Sequence, residues 1–163
     1  MIILGIDPGA GGSLAFYKSN KIKTSSVLTL RWAIKCPETI DLMAKYLKAH
    51  LEYGIKTIAY VEQVHAMPHD GRSSLFKFGT NYGAWLGILA AYGIHTIKVS
   101  PQKWMKYWQE KKETKLPKDK TQRKRMLKLW ASELTTEKVT LYNADAILIA
   151  LYGAEMEGAK IVS

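Results

Sequence analysis

The stretch that most limits the fold is the first one, MIILGIDPGAGGSLAFY. Ile2, Ile3, Leu4 and Ile6 form an apolar run fit for a buried strand, Asp7 ends it, and the strand pattern resumes at Ser13. Between them DPGAGG is turn chemistry: proline fixes one backbone angle and glycine accepts positive φ. A carboxylate at the end of a buried strand is costly unless a cation or hydrogen-bond donor receives it. Any fold open to this chain must therefore bring a partner to Asp7.

The rest of the sequence supplies alternating elements. SLAFYK and KIKTSSVLTL read as two further strands, with a hairpin turn expected near Ser19 and Asn20. CPETIDLMAKYLKAHLEYG reads as a helix, with Pro37 in its first turn, Glu38 and Asp41 at its positive end and Gly54 past its close. KTIAYVEQV is apolar on both faces and reads as a central strand. A helix is expected over 74–92, then the strand IHTIKVS, then helices over 101–108, 120–132 and 143–157. The order βββαβαβα implies one α/β domain across residues 1–163, a five-stranded mixed sheet flanked by helices. A basic loop and helix at about 110–130 lie within it.

Two further carboxylates stand out. Glu62 lies in the VEQV segment of the fourth strand, which in this order commonly runs parallel to and beside the first. Adjacent strands are ~4.8 Å apart. Like charges so close do not both stay ionised without a cation between them. Oxygen-only ligands point to Mg²⁺ or Mn²⁺ rather than zinc. Asp145, in NADAILIALYG, starts a helix that is apolar on most sides. One reading makes it a first-turn anion favoured by the helix dipole, with Asn143 as cap. The other joins it to Asp7 and Glu62 as a metal ligand. Two Mg²⁺ ions roughly 3.5–4 Å apart are competent for phosphodiester hydrolysis.

The formal charge of +10 favours polyanionic partners, nucleic acid first and an anionic membrane surface second. Lys111, Lys112, Lys115, Lys118, Lys120, Arg123, Lys124 and Arg125 crowd one segment. They form either a solvated face or, given their mutual repulsion, a site for a bound anion. Lys118, Lys120 and Lys124 are candidates to stabilise charge on a phosphate. Phe76 can stack on an unpaired base or belong to the core, and Arg72, Ser73, Ser74 and Lys77 can meet phosphates. Trp104, Trp108 and Trp130 have core-like spacing. Cys36 is the only cysteine, so neither an internal disulfide nor a thiolate zinc site is expected. No signal peptide or membrane-spanning run is evident, which fits a cytoplasmic protein.

GIDPG, YVEQV and NADAILIALYG, in this order and at these intervals, resemble the RuvC-like Holliday junction resolvases of the ribonuclease H-like superfamily. MPHDGRSSLFKFGTNYGAWLG and VSPQKW are similar to the middle segments of phage-type members. The resemblance implies a ribonuclease H-like fold and a homodimer that binds four-way DNA junctions and nicks opposing strands with Mg²⁺. It implies a bacterial cell or a phage-infected host, no membrane and no nucleotide cofactor. Asp7, Glu62 and Asp145 fall on the metal-binding acids of that family. Its long helix after the Glu provides much of the dimer contact, which would give Gly79, Gly83 and Gly87 a use. Close packing on the chain's own sheet is the other reading of those glycines.

The sequence departs from the pattern at one point. The family's last motif carries two acids one helical turn apart, and here Tyr142 stands three residues before Asp145. His65, His69 and Asp70 are candidate substitutes for the fourth ligand. The departure also admits a protein that binds junctions and cuts them poorly. An actin-like ATPase or sugar kinase starts with a similar strand and Asp, but the chain is short for two lobes and has no second phosphate loop.

Overall fold

The computed structural model describes residues 1–9, 11–22, 25–63 and 71–161. The strands are β1 (Ile2–Asp7), β2 (Ser13–Ile22), β3 (Ser25–Lys35), β4 (Thr57–Glu62), β5 (His95–Val99) and β6 (Lys160–Ile161). The helices are α1 (Ile40–His50), α2 (Arg72–Ala91), α3 (Pro101–Lys111), α4 (Lys120–Ser132) and α5 (Ala144–Met156). The sheet order is β5-β4-β1-β2-β3-β6. β1 is antiparallel to β2 and parallel to β4, so the sheet is mixed as expected. The short β6 adds to the expected five strands by pairing with β3 at Val27 and Leu28.

Two local expectations are corrected. β2 does not turn at Ser19 and Asn20; it runs on to Ile22, which pairs with Ser25 of β3. α1 does not begin at Pro37. Thr39 caps it, its side chain accepting from the Leu42 N–H at 3.3 Å. A threonine acceptor satisfies a free helix N–H, which proline cannot do. α3 starts on the Ser100 cap followed by Pro101, and α4 on the Asp119 cap, whose carboxylate accepts from Gln122 at 2.8 Å.

Strand parity divides the core into two layers. Ile2, Leu4 and Ile6 of β1 pack with Met43 and Leu47 of α1 and Trp85 and Leu89 of α2. Ile3 packs on the other face with Ala15, Tyr17, Ile58 and Tyr60, against α3, α4 and α5. Successive side chains on a strand alternate faces. Asp7, in step with Ile3, therefore shares the α5 face with Ser13, in step with Ala15, and Glu62, in step with Tyr60.

α5 is apolar nearly all round because it is buried nearly all round, from Ala144 through Ala154. It lies against β1 and β4 at two glycines. A Cβ on Gly5 would sit 2.1 Å from the Ala146 carbonyl oxygen and 2.5 Å from the Ala150 nitrogen. One on Gly153 would sit 2.4 Å from the Tyr60 ring. This backbone-to-backbone approach carries the first turn of α5, and Asp145 with it, over the end of β1. No helix among the described residues is long and apolar enough to cross a membrane.

Candidate active site

β1 and β4 pair in parallel, Ile6 beside Val61, so Asp7 and Glu62 leave their strands at the same level. α5 adds Asp145 from above. Asp7 accepts a hydrogen bond from the Gly9 N–H at 3.1 Å, made possible by the DPG turn. Glu62 Oε1 accepts from Trp104 Nε1 at 2.9 Å. Asp145 Oδ2 accepts from Lys124 Nζ at 3.2 Å, while its Oδ1 is buried with no partner.

The carboxylates feel one another's charge. Glu62 is pushed up to about 8, first by burial and then by the Asp7 carboxylate, with Asp145 adding to it. Trp104 and Lys124 pull the other way. Asp7 is raised by burial and then by Asp145, against the Gly9 N–H and Lys124. Asp145 is raised by burial, offset by Lys124 and Arg123. Each shift marks a buried carboxylate with too little positive charge around it.

That deficit decides whether the donor set suits a divalent cation. Three carboxylates and an unpartnered buried oxygen are hard donors lacking a charge, the chemistry that Mg²⁺ or Mn²⁺ answers. Among the described residues, no three His, Cys, Asp or Glu side chains are close enough to grip one ion in these positions. The Lys124 ammonium holds Asp145 meanwhile. Tyr142 is exposed and supplies no fourth acid. Asn143 is buried but spent: its Oδ1 accepts from the Thr140 N–H and hydroxyl at 2.7 and 3.1 Å. It stands at the N-cap position of α5 but makes no side-chain cap bond. His65, His69 and Asp70 lie outside the described residues.

Of the three candidate lysines, the structure brings Lys124 to the acids. Lys118 and Lys120 are exposed, as is Lys115. Arg123 donates to the Lys118 carbonyl oxygen at 3.0 Å. Not all of the basic run is free for an anion: Lys111 pairs with Glu155, and Lys112 with Glu133 at 2.6 Å. Phe76 is 77% exposed on α2 and, with Lys77, lines a cleft of about 440 Å³ with Lys35, Cys36 and Asn81. Ser73 is exposed, and the side chains of Arg72 and Ser74 lie outside the described residues. Gly79, Gly83 and Gly87 share an open face of α2, and a Cβ on any of them would meet nothing within 4 Å. Close packing on the chain's own sheet is thereby excluded for them.

Trp104 was missed from sequence, where its spacing read as core. It is buried, yet its indole N–H serves Glu62. The usable signal was chemical: a buried Trp N–H needs an acceptor, and Glu62 was the unpaired acceptor nearby in the layer.

No protein-family model matches the chain, and no curated protein matches it at a significant level. Solved structures do. Thermus thermophilus RuvC superposes with a TM-score of 0.61 at 20% identity, covering 99% of this chain and 100% of that one. The same protein in complex with a Holliday junction substrate gives 0.58 at 19% identity, covering 99% and 100%. The yeast mitochondrial Holliday junction resolvase Ydc2 gives 0.52 at 14% identity, covering 96% of this chain and 80% of that one. With a mixed sheet, flanking helices and full-length superposition in agreement, the chain has the fold of RuvC.

Proposed function

We propose that this protein is a metal-dependent endonuclease that nicks four-way DNA junctions, acting as a homodimer by two-metal phosphodiester hydrolysis. The observation that carries the reading is the acidic cluster: Asp7 and Glu62 end paired parallel strands at one level, and Asp145 stands in the first turn of the helix laid over them, with a buried oxygen that has no partner. Asp7, Glu62 and Asp145 would hold the metal. When bound, Mg²⁺ or Mn²⁺ supplies the charge that lets the carboxylates ionise together, and Lewis acidity toward the phosphate and its attacking water.

The chain's own groups do the rest. The Gly9 N–H and the Trp104 indole fix the Asp7 and Glu62 carboxylates against rotation. Lys124 favours the ionised form of Asp145 and is positioned to turn its ammonium to a scissile phosphate as charge builds there. Phe76 offers an open ring beside Lys77 for an unpaired base at a junction centre, and exposed Lys115, Lys118 and Lys120 offer phosphate contacts. The open glycine face of α2 suits a second copy of the chain, since two helices approach most closely where neither carries a Cβ.

Strand-resolved cleavage of a synthetic mobile four-way junction tests this. Paired nicks are expected with Mg²⁺ or Mn²⁺ and none with Asp7→Asn. Binding without nicking in either metal overturns it. The exposed Tyr142 in place of an acid favours the second reading, a junction-binding protein with little cleavage. Cleavage gained by Tyr142→Asp would support that reading, and unchanged cleavage would remove it.

A further inference from the structure

The pocket holds a second orphan oxygen. Ser13 is the cross-strand partner of Asp7 in the β1–β2 ladder, so the two side chains project from the same face of the sheet. Ser13 is fully buried, and its Oγ has no hydrogen-bond partner. Buried hydroxyls are normally satisfied, and an unmet one calls for a reason. Asp145 Oδ1, on the helix that lies over this face, is unmet in the same way. Three unsatisfied oxygens of the described residues, those of Ser13, Tyr17 and Asp145, thus lie on the face that carries the three carboxylates, and of the two on β2 it is Ser13 that stands directly opposite Asp7.

Tyr142 leaves the acid position before Asp145 unfilled, and Asn143 is committed to Thr140 and the Lys138 carbonyl oxygen. We infer that Ser13 supplies the fourth oxygen of this pocket, as a ligand to the divalent cation beside Asp7. A serine hydroxyl is a neutral hard donor, adequate for Mg²⁺ or Mn²⁺, as in phosphate-binding loops where Ser or Thr ligates the metal. The set would then carry three negative charges where four acids carry four, and the Lys124 ammonium offsets one more in the metal-free protein. The assignment rests on the metal-binding reading given above.

Calorimetry with Mn²⁺ on the full chain, without DNA, separates the two. Parent protein is expected to bind Mn²⁺, and Ser13→Ala to bind it roughly tenfold more weakly. Metal-free Ser13→Ala is expected to melt no lower than the parent, because the hydroxyl removed had no partner. Ser13→Cys should gain affinity for Cd²⁺ at the expense of Mg²⁺ and show an ultraviolet thiolate-to-cadmium band. Parent protein, which keeps the buried Cys36, should lack that band. Unchanged Mn²⁺ affinity in Ser13→Ala, or no band in Ser13→Cys, overturns the role of Ser13 alone. A parent that binds neither Mg²⁺ nor Mn²⁺ overturns the metal reading and this inference with it.

Discussion

At the scale of single residues, the protein places carboxyl groups where their charge is unwelcome. Glu62 titrates near 8 in the fold against an ordinary value near 4.5. Between those values the folded state binds the proton that the unfolded state has released, so stability falls as pH rises through that window. Below the lower value Glu62 carries no penalty; above 8 the penalty is full. Glu62→Gln is therefore expected to melt roughly 5 °C above the parent at pH 8.5 in EDTA, with the gain vanishing near pH 4.5. Paired melts across that range check it. Cation binding is expected to run the other way and strengthen with pH, because a metal competes with a proton. Trp104→Phe removes the indole donor and leaves a buried carboxylate oxygen unmet, at a cost of about 2 kcal/mol. It should cut junction nicking while leaving junction affinity intact, since Trp104 is buried away from any DNA. A gel-shift titration beside a cleavage assay tests that division.

At the scale of elements, the site is a consequence of how α5 lies on β1 and β4. Its apolar surface secures burial, but only glycine at position 5 lets the helix backbone reach the strand. Gly5→Ala forces the Cβ into the Ala146 carbonyl and must push α5 outward, costing about 3 kcal/mol. Asp145 moves with the helix, so metal binding should fail before folding does. Gly11→Ala, where a Cβ meets nothing within 4 Å, is the matched control and should bind metal as the parent does. Denaturant melts and Mn²⁺ calorimetry on the two variants check this. The parity of β1, β2 and β4 completes the arrangement, setting Asp7, Ser13 and Glu62 on the one face that α5 covers.

At the scale of the whole molecule, two surfaces among the described residues are left without an intramolecular partner. One is the open glycine face of α2, the other the exposed lysines before and at the start of α4. Glycine inside a helix costs about 1 kcal/mol relative to alanine, so a helix that keeps three on one face without using them loses stability to no end. Gly83→Glu should not harm the monomer, and it puts a charge where a second copy would dock. Light scattering is expected to find the parent dimeric and this variant monomeric. The basic surface has the opposite logic: its charges repel one another until a polyanion arrives, and junction binding should weaken steeply with salt.

The sequence by itself determined the order of elements through α5 and the place of Asp7 and Glu62 at the ends of neighbouring parallel strands. Those follow from local rules: apolar period, turn chemistry, and the expense of a carboxylate in a buried strand. Asp7 and Glu62 were legible because parallel strands in register bring equal positions side by side. The start of α1 and the β2–β3 turn were misread because capping and strand extension depend on which neighbouring groups need hydrogen bonds. Lys124 could not be told from Lys118 or Lys120, nor Trp104 from an ordinary core residue. Each of those depends on which side chain ends within bonding distance of another from a remote part of the chain. Only the packing of α5, α3 and α4 onto the sheet decides such distances, because no local preference along the backbone encodes them.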